Sequence, residues 1–342
     1  MSKLPDHVGI DFGNYSVKAV ELGNIKSKPS LIAFGSQSIP AGVLNSEEQG
    51  NQKKLSGALK SLYRGAGIRN KKVVLAIPES AVFTRYITLP GLKENELETA
   101  VFFKAKQYIP IPIEEVQMSY VVLGFDEIKN SYNILLVAAP RKTIDLYLNI
   151  VGQAGLEPLA IETESIAIGR AIYRSTNIKH MVALDFGSKT TDVSVMYDGR
   201  MIFSQSIAIG SDSMTQALVN QFGFEYAQAE QYKRNYGVTP NILENKIYNS
   251  LKPILDAMLV EVQRGIEFYK TTTLTPPPRD FFLAGEGALL PGLPEYIQTT
   301  FGINAKVGDP WINIDVPKKL EPIVAKNKPN FAVAIGLALK EF

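Results

Sequence analysis

The tripeptide Asp-Phe-Gly occurs twice in this chain, at residues 11–13 and 185–187, and each copy stands between two runs of β-branched and aliphatic residues. The first context reads HVGIDFGNYSVKAVEL (7–22) and the second MVALDFGSKTTDVSVM (181–196). Each predicts a strand, a tight turn and a returning strand. A third strand follows in both: SLIAFGSQSI (30–39) and MIFSQSIAIG (201–210). A helix follows each strand. In the first copy it is NQKKLSGALKSLYRGAG (51–67), where Leu55, Leu59 and Leu62 share a face and Gly65 and Gly67 supply an end. In the second it spans about 212–222. The buried strand KVVLAIP (72–78) closes the first series, and RDFFLAGEGALL (279–290) gives a strand and a glycine turn in the second. A repeat separated by 174 residues, from residue 7 to residue 181, is too long for a solenoid unit. It predicts an α/β molecule of two pseudo-symmetric lobes around a cleft.

Composition bounds what the cleft can hold. The chain has 342 residues, room for about two domains, with 45% hydrophobic and 20% charged residues, as in globular proteins. A net charge of +2 gives no reason to expect nucleic acid, and the short cluster Arg69, Lys71, Lys72 reads as a solvated loop. There is no cysteine, so thiol and disulfide chemistry are excluded. Two histidines, His7 and His180, argue against a histidine-rich metal site. No signal-peptide core opens the chain, and the apolar run FAVAIGLAL (331–339) falls well short of the ~20 residues of a membrane span. The expectation is a cytoplasmic protein that meets a membrane only through a partner, without direct insertion.

The two turns suggest phosphate chemistry. A tight turn presents successive backbone N–H groups to an anion, and Gly13 and Gly187 let a phosphate approach the backbone. Asn14, Tyr15 and Ser16 fill the first turn; Ser188, Lys189, Thr190 and Thr191 fill the second and add donors. Asp11 and Asp185, each ending a first strand, suit Mg²⁺, held directly or through water. Lys18, on the returning strand, is placed to reach back to a phosphate. A single such turn would read as a plain hairpin; two in matching context read as nucleotide binding. The kinase reading of Asp-Phe-Gly fails, because neither a G-x-G-x-x-G loop nor an H-R-D loop accompanies it. Walker A and dinucleotide-binding fingerprints are absent as well.

On these residues the chain resembles the actin, hexokinase and heat-shock-chaperone superfamily, whose ribonuclease H-like lobes close on ATP. D-F-G-x-x-x-x-K resembles the first phosphate loop and DFGSKTTD (185–192) the second. LAGEGALLPGLPEYI (283–297) is similar to the adenosine motif, with Gly285 and Gly287 in place and Glu286 where a glycine is expected. AIETESIAIGRAI (160–172) resembles the first connecting helix and FAVAIGLAL the second. The resemblance implies ATP with Mg²⁺ as ligand, Asp11 and Asp185 at the metal, and a carboxylate orienting water on the γ-phosphate. Glu162 and Glu164 both stand near that helix start, and Glu164 matches the position better; either also serves as a favourable N-terminal charge. Glu230 and Lys233, one helical turn apart in AEQYKRNYG (229–237), read as a surface ion pair or, by the resemblance, as ribose contacts.

The middle of the chain selects a branch. VFTRYITLP (82–90) predicts a strand, KENELETAVFFKAKQYIP (93–110) a helix stopped by Pro110, and EVQMSYVVLGF (115–125) and YNILLVAAP (132–140) two strands. This strand-helix-strand-strand insert is similar to that of FtsA, and TRYITLPGLKENELETAVFFKAKQYIPIPIEEVQMSY is especially similar to the PilM family of type IV pilus assembly proteins. Short length and the absence of an amphipathic tail favour the latter. The expected organisation is a first lobe of residues 1–79 and 140–180 with the C-terminal helix 330–342, an insert of 80–139, and a second lobe of 181–329 holding a helical subdomain at about 223–272. The helix LKPILDAMLVEVQRGIEFYK (251–270) is expected to pack within that lobe, before a Pro-rich connection (271–280).

The insert helix is apolar over much of its circumference: Leu97, Val101 and Tyr108 form one stripe, with Phe102 and Phe103 on its flanks. A groove between insert and first lobe, with Phe102, Phe103 and Lys106, is the expected peptide site. The resemblance implies that the peptide is the cytoplasmic N-terminus of a PilN-like inner-membrane protein, with other pilus inner-membrane and motor components nearby. The expected role is an ATP-binding scaffold with weak or no hydrolysis. The alternatives are an active or filament-forming actin-like ATPase and, further off, a small-molecule kinase of the same superfamily.

Overall fold

The computed structural model describes residues 6–25, 28–44, 46, 48–273 and 275–341. The chain opens with β1 (Val8–Phe12), β2 (Ser16–Ile25), β3 (Lys28–Ser38), α1 (Gln49–Ala66) and β4 (Lys72–Ile77). The insert follows as β5 (Phe83–Pro90), α2 (Glu94–Ala105), β6 (Val116–Asp126) and β7 (Ser131–Pro140). The chain returns through α3 (Arg141–Gln153), β8 (Glu157–Thr163) and α4 (Glu164–Thr176). The second half runs β9 (His180–Phe186), β10 (Thr191–Tyr197), β11 (Arg200–Ile207), α5 (Ser211–Phe222), α6 (Tyr226–Tyr236), α7 (Lys246–Thr273), β12 (Asp280–Ala284), α8 (Leu293–Phe301), β13 (Asn304–Val307), α9 (Glu321–Lys326) and α10 (Ala332–Ala338).

Two five-stranded sheets share one plan. The first has the order β3-β2-β1-β4-β8 and the second β11-β10-β9-β12-β13. In each, two antiparallel pairings are followed by two parallel ones. The repeat seen in sequence is therefore a repeat of topology. Strands β1 and β9 are central and buried, which accounts for their unbroken apolar runs.

Each sheet packs its helices around its own core. Leu55, Leu59 and Leu62 of α1 meet Ile10, Leu75 and Tyr147 in the first lobe. Leu255, Met258 and Val262 of α7 meet Leu184, Phe186 and Val195 in the second. Helix α7 begins before the predicted stretch and carries Pro253 inside it. The lost N–H bond is tolerated because Ile247, Ser250 and Leu251 ahead of it are already buried.

The lobes meet through α4 and α10. The contact is backbone to backbone: a Cβ on Gly336 would lie 1.8 Å from the Ala167 carbonyl oxygen, and one on Gly9 2.1 Å from that of Ala334. Ile168, Ile172, Val333 and Leu337 pack with Met181 and Ala183 of the second sheet and Val74 of the first. Glu162, half-buried on β8, pairs with Arg170 at 2.8 Å and Lys340 at 2.5 Å, and Arg170 also donates to the Gly336 carbonyl at 2.6 Å. Glu162 thus belongs to the joint between the connecting helices, and the water-orienting reading does not hold for it.

The insert is a three-stranded antiparallel sheet, β5-β7-β6, covered by α2. That helix ends at Ala105, earlier than predicted. The Ala105 carbonyl accepts from both Tyr108 and Ile109 N–H groups, turning the chain so that Ile109 enters the core before Pro110. Tyr108 consequently leaves the stripe and is exposed, and the inward stripe is Leu97, Val101 and Ala105. Phe102, Phe103 and Lys106 point outward, with Lys106 Nζ 4.7 Å from the Phe102 ring centroid. They line neither of the two large cavities. The expected groove residues form an open surface cluster instead, because the inward face of α2 is filled by the insert's own sheet.

Candidate functional site

The two Asp-Phe-Gly turns face each other across a cleft of about 580 Å³ between the lobes. They are built alike. Gly13 N–H donates to the Ser16 carbonyl at 2.9 Å, and Gly187 N–H to that of Thr190 at 3.0 Å. In the first hairpin Asp11 lies opposite Lys18; in the second, Asp185 lies opposite Asp192. Directly opposed residues of an antiparallel pair point to the same face. Each strand pair therefore sends two ionisable groups into the cleft.

The structure brings together Asp11, Gly13, Asn14, Tyr15, Ser16 and Lys18 from the first turn with Asp185, Gly187, Ser188, Lys189 and Thr190 from the second. Glu164, Glu230, Lys233, Gly285, Glu286 and Gly287 complete that wall. Thr191 is the exception. It is buried in β10, and its hydroxyl donates to the Ile209 carbonyl at 2.7 Å, away from the cleft. Thr191 is the residue after the turn, so strand alternation sends it into the lobe core while Asp192 faces the cleft.

Asp192 is the residue the sequence reading missed. It accepts from Ser206 at 2.5 Å and Thr190 at 3.5 Å. The signal was present: D-F-G-x-x-x-x-K in the first copy aligns with D-F-G-x-x-x-x-D in the second, so Asp192 stands where Lys18 stands.

Negative charge dominates the floor. Lys18 Nζ lies 3.2 Å from Asp11 Oδ2. Burial acts to lower the Lys18 pKa, but the carboxylates of Asp11, then Asp185 and Glu286, outweigh it and hold the ammonium charged. Desolvation and the charge of Asp11 push Asp185 up to about 7, against the pull of Lys18. Burial, then Asp185, raises Asp192 well above the usual carboxylate range. Glu164 is raised as well, by burial first and then by Asp11, Asp192 and Asp185. It begins α4, whose cap Thr163 accepts from the Ile166 N–H, and its Oε2 accepts from the Glu79 N–H at 3.3 Å. Such a floor is short of positive charge.

The far wall supplies polar contacts of a different kind. Lys233, buried on α6, pairs with Glu230 at 2.7 Å and donates to Thr215 and to the Ser211 carbonyl. Arg234 bridges Glu230 and Glu286, at 2.6 Å to each. Gly285 has φ +78°, and a Cβ there would lie 2.3 Å from Asp185 Oδ1, so only glycine fits. Tyr15 donates to Asp212 Oδ2 at 2.6 Å, tying the first turn to the start of α5 across the cleft.

Two repeated lobes, each ending in an acidic glycine turn and joined by crossing helices, define an actin-like fold. Solved structures agree: MreB5 of Spiroplasma citri bound to AMPPNP matches with TM-score 0.56 at 13% identity, covering 96% of this chain and 94% of that one. The type IV pilus assembly protein PilM model matches residues 9–342, and the chain belongs to that family. The structure titled PilM-PilN type IV pilus biogenesis complex is similar at TM-score 0.84 and 26% identity, over 98% of both chains. FtsA of Enterococcus hirae is 22% identical over 358 aligned residues, 90% of this chain and 79% of that protein. Ethanolamine utilization protein EutJ of Escherichia coli is 26% identical over 154 residues, 45% of this chain, and the match spans about half (49%) of that relative. No helix among the described residues is long and apolar enough to cross a membrane.

Proposed function

We propose that this protein is an ATP-binding actin-like scaffold of type IV pilus assembly, which holds Mg-ATP in the cleft and carries a PilN-like inner-membrane partner. The observation behind the nucleotide reading is the pair of matched turns over an acid-rich floor. A triphosphate lies along their N–H groups, with Lys18 as counter-charge. No group of three or more His, Asp or Glu side chains among the described residues is gathered to hold a metal ion by itself. Mg²⁺ keeps waters and takes one or two carboxylates together with phosphate oxygens. Asp11 and Asp185 are those carboxylates, and the ion supplies the positive charge the floor lacks. The bond from Arg234 to Glu286 braces the wall where the base and ribose sit.

Glu164 faces the γ-phosphate position as the candidate water-orienting group. Burial first, then the carboxylates of Asp11, Asp192 and Asp185, push its pKa above the usual carboxylate range. ATP closes the cleft and biases the partner surface by population shift.

Family membership and the likeness to a PilM-PilN complex support a cytoplasmic N-terminal segment of a PilN-like protein as partner, and a place on the cytoplasmic face of the inner membrane reached through it. The insert is the candidate platform, with Phe102, Phe103 and Lys106 as an exposed contact cluster. Isothermal calorimetry tests the cleft: Asp11→Ala weakens Mg-ATP binding about tenfold or more, and an unchanged affinity refutes the site. Steady phosphate release or ATP-dependent sedimentation would instead select the filament-forming ATPase.

A further inference from the structure

Between Gln49 and Pro78 the chain places seven of its 36 basic residues and none of its 34 acidic ones, so the rest of the molecule is net negative. Helix α1 sets several of them in order. Lys53, Lys60 and Arg64 fall within about 40° of one another around the helix and spread over about 16 Å of its length. The stripe lies opposite Leu55, Leu59 and Leu62, which face the first-lobe core, and all three cations are exposed. Arg69, Lys71 and Lys72, also exposed, continue the charge past the end of the helix. None of these six is held in an ion pair among the described residues. Carboxylates stand at the margins: Glu48 before α1, Asp6 accepting from Asn70, and Glu157 beside Lys72 on the neighbouring strand. Gly57 and Gly65 interrupt the same exposed surface, and a Cβ on either would meet nothing within 4 Å. No packing within the chain calls for glycine there, and the missing side chains let a flat surface come up to the flanking cations. Neither the cleft nor a second large cavity, about 710 Å³ between the insert and the second lobe, includes any residue of this surface.

We infer that this face of α1, with the loop after it, binds the surface of an anionic lipid bilayer. Charge complementarity carries the inference. A headgroup layer is flat, open and negative, and it attracts clustered lysine and arginine without needing a pocket. The apolar side of α1 is buried in the lobe core, so the contact is electrostatic and superficial, with no insertion. Nucleic acid suits the face less well. The one aromatic residue of the stretch, Tyr63, packs against the lobe core with its hydroxyl buried, and no ring is offered for a base to stack on. The face is also well placed. Val17 and Ala19 of β2 point to the α1 side of the first sheet, and Val20 and Leu22 to the side of Trp311 and α10. The basic surface is thus turned away from the joint between the lobes. This contact adds to the partner-borne one proposed above and does not rest on it, since vesicles without protein test it alone.

The test is co-sedimentation of the full chain with phosphatidylcholine vesicles, with and without about 30% phosphatidylglycerol. The chain pellets with the anionic vesicles at about 50 mM salt, is released at about 500 mM, and ignores the neutral ones. Replacing the stripe, as Lys53→Gln, Lys60→Gln and Arg64→Gln together, lowers the partition about tenfold or more. Glutamine keeps the helix propensity and the three side chains are exposed, so the variant folds. A control triple, Lys318→Gln, Lys319→Gln and Lys326→Gln, removes the same charge from exposed positions on the other side of the first sheet and leaves the partition within about twofold. No pelleting with anionic vesicles, equal pelleting with neutral ones, or equal loss in the two triple variants overturns the inference. A short DNA duplex that strips the chain from the vesicles at equal phosphate concentration overturns it as well and assigns the face to nucleic acid. Failure on vesicles leaves the partner reading standing, because that reading is tested with the partner segment and not with lipid.

Discussion

Lys18 and Asp192 hold the same register position in two hairpins built alike, and this one exchange breaks the symmetry of the cleft. A lysine there would leave the second lobe electrically like the first. The aspartate adds a carboxylate to the floor and, after burial and Asp11, helps to raise Glu164. Asp185, raised by burial and then by Asp11, carries a measurable consequence. Its folded pKa, about 7, lies above the ordinary aspartate value of 3.8 that the unfolded chain keeps. The protonated form is therefore favoured by folding, and its contribution is fully present below about pH 4 and lost as pH rises through about 7. We expect the nucleotide-free protein to lose stability across that window, and Asp185→Asn to flatten the loss, measured by urea unfolding at several pH values. Mg²⁺ binding requires the ionised carboxylate, so Mg-ATP affinity should rise over the same window. A flat profile in both measurements would count against the assignment.

At the scale of elements, α4 and α10 do two jobs. The first residue of α4 sets Glu164 in the cleft, the two helices touch backbone to backbone at Gly336 and Ala167, and their apolar side chains pack against both sheets. Gly336→Ala forces a methyl into the Ala167 carbonyl, and we expect a loss of about 3 kcal/mol or more in denaturant unfolding. A loss under about 1 kcal/mol would mean that the helices separate freely. The sheets, the insert and the order of the cleft motifs were legible in the sequence because apolar runs, glycine turns and the repeat each write one local signal. The outward turn of Phe102 and Phe103 was not, because two flanks of an apolar helix look alike until the sheet beneath it chooses one. Thr191 and Asp192 were decided by strand phase, one residue apart. The second cavity joins residues 79–80, 82–86, 107–109, 135–136, 203–206 and 268, segments with no shared pattern that meet only in the folded chain.

For the whole molecule, the bond from Tyr15 to Asp212 spans the cleft and links the two lobes. The Tyr15 hydroxyl keeps its proton, since burial and Asp212 push its pKa far up. Worth about 1 kcal/mol, the bond shifts an open–closed equilibrium about fivefold. Tyr15→Phe should enlarge the radius of gyration of the nucleotide-free protein in small-angle scattering, and Mg-ATP should restore it; an unchanged radius would place the resting closure elsewhere. The insert, by contrast, hangs from the first lobe by β5 and β7, which pair antiparallel from Phe83 opposite Ala138 to Pro90 opposite Ser131. β5 follows the short helical turn at residues 79–81 and β7 passes directly into α3, so a pull on the insert is shared between two covalent connections. The hydrogen bonds between them carry almost none of it. The side contacts to the second lobe, Ser204 with Glu79 and Phe268 with Arg85, are non-covalent and are expected to yield before the covalent connections. The insert thus behaves as a hinged bracket that swings under force before anything unfolds.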